Sequence, residues 1–148
     1  RGQTGVQYFR GKEGLRAMYE DHLKTGKDLY MIRTYADEDF FEDWLYEYMD
    51  KRAATGIRTY ALMPFNLRSY RWGKKNDKRL NRETTWYPDE TYAAPVEIGT
   101  YGDKVSIISV GEEAVGTILE SPQIAHAMKD LFNMAKIGAQ HLYQSKLS

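Results

Sequence analysis

No cysteine occurs in the sequence, which excludes a disulfide framework, a thiolate nucleophile and any Cys-ligated zinc or iron–sulfur site in this chain. No apolar run approaches the roughly 20 residues that a bilayer-spanning helix needs, and no secretory signal opens the chain. The cytoplasm is therefore the expected address, with no membrane partner. Net charge is missing as well: 21 Lys+Arg are balanced by 21 Asp+Glu, which argues against a globally polycationic nucleic-acid binder. Histidine is scarce, with three residues to supply the side chain that ordinarily titrates near neutrality. His22, His126 and His141 form no H-x-x-x-H or H-E-x-x-H motif and no carboxylate cluster at ligand spacing, so neither a metal nor another cofactor is expected.

What is present is enough for one core. The 148 residues are 42% hydrophobic and include 12 Tyr, 5 Phe and 3 Trp, which suits a single folded domain over residues 1–148. The chain opens at Arg1 rather than at an initiator Met, so a targeting segment or a partner domain is expected to precede it.

Val6–Phe9 reads as a strand ending at Gly11, after which Leu15, Met18, Tyr19, His22 and Leu23 recur at helical spacing until Thr25–Gly26. Leu29–Ile32 is nearly continuously apolar, as expected of a central strand covered on both faces. Asp37 and Asp39 suit a positive helix N-terminus, and Phe40, Phe41, Trp44, Leu45, Tyr48 and Met49 then form one amphipathic helix. That helix closes at Thr55–Gly56 and leads to the strand Ile57–Met63. Two successive crossovers imply a parallel sheet with right-handed connections.

From Pro64 to Asn81 the pattern becomes an irregular basic loop. Arg68, Arg71, Lys74, Lys75, Lys78, Arg79 and Arg82 face Asp77 alone, whereas Asp37 to Asp50 holds seven acids and no base. The acidic face reads first as solvated surface, and the two segments can attract each other or a second subunit. After Trp86 and Pro88 come the strands Val96–Thr100, Val105–Val110 and Val115–Leu119, the first two joined by a Gly102–Asp103 turn. Ser121–Pro122 caps a closing helix whose stripe is Ile124, Met128, Leu131, Phe132 and Ala135. The fold class is α/β: a βαβαβ parallel core, then antiparallel strands and the closing helix.

Ligands of open parallel sheets collect beyond the carboxyl ends of the strands. That rule places Thr34, Tyr35, Phe65 and Asn66 around one crevice with Arg68, Arg71, Trp72, Arg79 and Arg82 of the basic loop. Guanidinium forks and an aromatic platform suit a phosphate, a carboxylate or a sugar. His22 lies on the apolar face of the first helix, where a hydrogen-bonded core role is expected. Gly11, Gly14 and Gly26 compose no phosphate loop; the helix entry at Gly11–Gly14 offers only the free N–H groups of any helix start.

Val96–Ser109 (VEIGTYGDKVSIIS), continued through Gly116–Ala125 (GTILESPQIA) to Leu131–Phe132, resembles the C-terminal effector domain of TrmB-like transcriptional regulators. Tyr8–Leu15 (YFRGKEGL) is similar to the opening strand-to-helix segment of such domains, so the motifs bracket nearly the whole chain. The resemblance implies a phospholipase D-like fold used for regulation, normally preceded by a DNA-binding winged helix and a linker that supports dimerisation. It further implies a small-molecule effector, a sugar or an anionic metabolite, and a homodimer. In phospholipase D-like enzymes a histidine and a lysine two apart on one strand do the chemistry. The equivalent strand here carries Glu97, Gly99 and Tyr101, so a non-enzymatic sensor is expected. His22–Leu23–Lys24 has the spacing but falls on a helix, where such positions do not share a face. Two alternatives stand beside it: a divergent phosphodiesterase using His22 or His126, and direct nucleic-acid contact through residues 68–82.

Overall fold

Helix α1 (Gly11–Thr25) follows strand β1 (Gly5–Arg10) without a linker and ends where expected, at Gly26, whose φ of +66° lies in the left-handed region that favours glycine at a helix stop. A computed structural model describes residues 5–147 of the chain. Strand β2 (Leu29–Ile32) comes next, then two short helices, α2 (Ala36–Phe41) and α3 (Asp43–Ala54), strand β3 (Thr59–Pro64) and helix α4 (Leu67–Asn76). Strands β4 (Arg82–Tyr87), β5 (Val96–Tyr101), β6 (Lys104–Ser109) and β7 (Val115–Glu120) lead into helix α5 (Pro122–Leu147).

The seven strands form one sheet in the order β1-β7-β6-β5-β2-β3-β4. The α/β class, the antiparallel second half and the closing helix stand as expected; the parallel core differs in its membership. Strand β1 is not beside β2 but pairs antiparallel with β7, in register Gly5↔Glu120 to Arg10↔Val115. The parallel neighbours are β2, β3 and β4. The supposed irregular basic loop is therefore a helix and a strand. Asn66 caps α4 by accepting from the Ser69 N–H at 2.8 Å, while Thr84, Thr85, Trp86 and Tyr87 have the β-branched and aromatic character of a strand. The helix expected across Phe40–Met49 also breaks, at Glu42, whose φ of +54° and ψ of −135° no helix accommodates.

Alternation along the strands decides what each face meets. Leu29, Met31, Ala61 and Met63 point toward the α1–α3 side, joined in the core by Leu15, Met18, Tyr19, Phe41, Leu45 and Tyr48. Tyr30, Ile32, Leu62 and Tyr87 point the other way, toward Phe132 and Ala139 of α5. The hairpin of β5 and β6 turns at Gly102–Asp103 as expected, with Tyr101 opposite Lys104 and Gly102 at φ +59°. Ser121 caps α5, its Oγ accepting from the Ile124 N–H at 3.3 Å.

Among the described glycines, Gly116 has the least room, where β7 passes under α1 against Met18 Sδ. A Cβ on Gly116 would stand 2.9 Å from Met18 Cε and 3.1 Å from the Ile107 carbonyl oxygen, and Met18 is fully buried. Gly116→Ala is expected to cost about 1–3 kcal/mol of stability in urea unfolding. The cost should fall when Met18 is shortened in the same chain, the non-additivity expected of residues in contact.

Candidate functional site

The same alternation that buries Leu29 and Met31 carries Arg33, just past β2, onto the α1–α3 side of the sheet. Glu97 of β5 lies across from it, since Ile32 pairs with Ile98 and the two strands are antiparallel. The result is a charged centre inside the core. Arg33, Asp37, Arg52, Arg82 and Glu97 are each at most 5% exposed. Arg33 Nε and Nη2 donate to Asp37 Oδ2 at 3.0 and 2.6 Å, Arg33 Nε lies 3.3 Å from Glu97 Oε2, and the Tyr19 hydroxyl donates to Glu97 Oε1. Tyr87 fixes the turn below by donating to the Arg33 carbonyl at 3.1 Å.

Burial, reinforced by the Asp37 charge, raises the Glu97 pKa. Burial alone would lower that of Arg33, but Asp37 and then Glu97 outweigh it and hold the guanidinium charged. Burial also raises Tyr19, with Glu97 adding to the effect. Arg52 stands apart from the carboxylates: its Nε and Nη2 find no hydrogen-bond partner among the described residues, and its guanidinium sits 5.4 Å from the Tyr48 ring centre.

Above this centre a cleft of about 310 Å³ opens on the α1–α3 side of the sheet, with lining residues drawn from α3 and α4. Its cations are Arg33, Arg68, Arg71, Lys75 and Arg82, against the single carboxylate of Glu38. Arg82 Nε donates to Asp77 Oδ1 at 2.8 Å, and its guanidinium lies 5.1 Å from the Trp72 ring centre. Of the residues expected at the site, Arg68, Arg71, Trp72 and Arg82 come together here. The other five do not line the cleft: Phe65 packs its ring against Tyr70 and Trp86. Thr34 Oγ1 accepts from the Ala36 N–H at 3.4 Å, Tyr35 donates to the Pro64 carbonyl, Asn66 caps α4, and Arg79 meets Asp50 on the surface at 2.6 Å.

That last pair joins the basic segment to the acidic one within a single chain. Asp37, expected as part of a solvated acidic face, is instead buried against Arg33. Arg33, Met49 and Lys75 were not among the expected site residues. For Arg33 the signal was present: it continues the period-2 row Leu29, Met31, and a charge on a buried row needs a partner inside.

The histidines take other places. His22 is buried, its Nδ1 2.9 Å from the Tyr48 hydroxyl and its Nε2 3.4 Å from Ser106 Oγ. Burial, helped by the Arg52 charge, lowers its pKa to about 3, so the ring is neutral at pH 7. His126 is exposed on α5, 3.6 Å from Asp130. It borders a second cavity, of about 520 Å³, where Lys27 and Lys129 are offset by Asp28 and Asp103 and no charged side chain is buried. Among the described residues no group of three His, Asp or Glu is placed to hold a metal ion, and no helix is long and apolar enough to cross a membrane.

No protein-family model and no curated protein matches the sequence. Solved structures do match in three dimensions. NucT from Helicobacter pylori superposes with a TM-score of 0.64 at 10% identity, covering 93% of this chain and 98% of that one. TrmBL2, described as an archaeal chromatin protein with a novel mode of DNA binding, superposes with a TM-score of 0.61 at 15% identity over 91% of this chain. The fold is phospholipase D-like. TrmBL2 shares this fold, and the chain spans about half of the TrmBL2 chain, 53% of its length. In this phospholipase D-like sheet, β5 presents Glu97, Gly99 and Tyr101 toward the helices and carries no histidine. The His22–Leu23–Lys24 triplet lies on α1, as expected.

Proposed function

We propose that this chain is a non-catalytic sensor and dimerisation domain of a TrmB-like transcriptional regulator, with DNA bound through a separate winged helix. The observation that carries the reading is the cationic cleft between α3 and α4, roofing a fully buried charge cluster that a purely structural domain has no need of. Two of its walls belong to different helices, so an occupant that bridges them favours one spacing of α3 and α4 over another. Sensing requires such a difference in affinity between two arrangements.

Dimerisation draws support from α5. Leu131, Met134 and Ile137 are exposed at 55%, 67% and 68%, an apolar row on the side turned away from the sheet. In sedimentation experiments Met134→Glu together with Ile137→Glu is expected to convert a dimer to monomer without loss of helical content. For sensing, a ligand that raises the melting temperature of the domain should shift the operator affinity of the full-length regulator about 5- to 150-fold. Tight binding with unchanged DNA affinity would remove the coupling.

A second reading rests on a different observation. Arg68, Arg71, Lys74, Lys75, Lys78 and Arg79 are all exposed along α4 and the turn after it. Direct nucleic-acid contact there predicts affinity falling steeply with salt, with a slope reduced by about one for each cation replaced.

A further inference from the structure

Two guanidinium groups reach the floor of the α3–α4 cleft from different directions, Arg33 from the end of β2 and Arg82 from the start of β4. Their Nη1 atoms meet at one place: each lies 3.9 Å from the Sδ atom of Met49. A thioether is a weak acceptor, so two charged donors are spent on a group that satisfies neither. Both side chains are only 3% exposed, and both border the cleft. Guanidinium donors so placed ordinarily face carboxylate or phosphate oxygens in pairs. Arg82 has one carboxylate partner at Nε, Asp77, while Arg33 Nε faces both Asp37 and Glu97, and the inward Nη1 edge of each guanidinium remains for something else.

The charge balance points the same way. The cleft mouth adds Arg68, Arg71 and Lys75 and only Glu38 against them. A neutral sugar would meet these donors with hydroxyls and leave the excess positive charge in place, whereas a dianion offsets it. Arg82 already carries the mark of that excess, its pKa lowered first by burial and then by the Arg33 charge. A body for the ligand is at hand in Trp72, whose ring lies beneath Arg82 and meets Tyr46 edge-on at 5.6 Å.

We infer that the cleft binds a small-molecule phosphate monoester, its phosphate displacing Met49 as the shared partner of Arg33 and Arg82 while Arg68 and Arg71 close over it. The inference rests on the sensing role proposed above and names the class of its ligand. The volume of about 310 Å³ matches a phosphorylated metabolite of modest size.

The test uses the full chain, with inorganic phosphate, glucose 6-phosphate, glucose and a short single-stranded oligonucleotide as probes at matched ionic strength. Thermal shift and Trp fluorescence serve as readouts. Glucose 6-phosphate is expected to raise the melting temperature and perturb Trp emission, inorganic phosphate to do so more weakly, and glucose not at all. Arg68→Gln with Arg71→Gln, at exposed positions where folding is preserved, should weaken glucose 6-phosphate binding by about tenfold or more, the scale of losing one charge-assisted hydrogen bond. Met49→Leu removes the sulfur acceptor from the empty cleft only, so the stabilisation by glucose 6-phosphate should persist or grow. No response to either phosphate overturns the inference, as does a response that the Arg68 and Arg71 replacements leave unchanged. Glucose binding at the cleft without phosphate binding would also overturn it, yet would leave the sensing role standing. Preference for the oligonucleotide would overturn it in favour of nucleic-acid contact.

Discussion

Arg33→Met is expected to lower the free energy of unfolding by about 3–5 kcal/mol in urea denaturation, the cost of stranding buried charge by removing one partner. The residue is only 2% exposed, and its loss leaves Asp37 and Glu97 facing each other inside the core with Tyr19 as the remaining donor to Glu97. The chain can relieve this by keeping a proton on Glu97, whose pKa is already raised in the presence of Arg33. The folded carboxyl then holds its proton at a pH where the unfolded one has lost it. Stability contributed by that proton is fully present below the ordinary carboxylate range and disappears as pH rises through the folded value. The Arg33→Met defect should therefore be smaller in mild acid than at pH 8.

Restoring charge balance offers a second check: Arg33→Met combined with Asp37→Leu and Glu97→Gln should recover much of the loss, because a well-packed apolar replacement is often as stable as the ion cluster. A single Arg33→Met variant within about 1 kcal/mol of the parent, the scale of an exposed pair, would mean that these charges are hydrated.

Acid should act on the protein through His22. Its ring is closed in by Tyr48 and Arg52 from α3, Tyr101 from β5, Lys104 and Ser106 from β6 and Asp21 of its own helix. Burial first, then the cationic charge of Arg52, brings its pKa from 6.5 to about 3. Between those values the unfolded chain binds a proton that the folded chain refuses, so stability present above pH 6.5 is lost as pH falls, at up to about 1.4 kcal/mol per pH unit. Glu97 works in the opposite sense over part of this range, so the informative quantity is the difference between the parent and His22→Asn. The parent's advantage at pH 7 should shrink by about that slope between pH 6 and 4, as read by chemical denaturation at each pH. A gap that stays constant across the same interval would show that His22 is protonated in the folded protein.

Much of the fold could be read from residue patterns because its signals are local. The Thr-Gly helix stops, the Gly102–Asp103 hairpin and the Ser121–Pro122 cap depend on a few neighbouring residues and appear where expected. Helix α4 was hidden because its apolar positions are few and its cations mask any stripe, although Asn66 three residues before Ser69 was a legible cap. The placement of β1 was not legible at all: a strand followed by a helix and a strand reads as one parallel unit, and nothing near residue 6 announces a partner at residue 119. At the site, the basic residues Arg68, Arg71 and Arg82 stood out as a charge run. Arg33 and Glu97 stood out less: the row Leu29, Met31 marks Arg33 as needing a buried partner, but only the antiparallel pairing of β2 with β5 shows that Glu97 is one.

The pairing of β1 with β7 also orders events as the chain is made. Strands β5, β6 and β7 are consecutive and can zip together as soon as they exist, but β1 waits for a partner more than a hundred residues downstream, with Gly5 opposite Glu120. The entropy of closing so long a loop grows only slowly with its length, yet it must be met before the contact gives anything back. The first strand of this domain to be made is thus the last of its strands to find its place, and even once paired it leaves Val6 and Tyr8 exposed at the edge of the sheet.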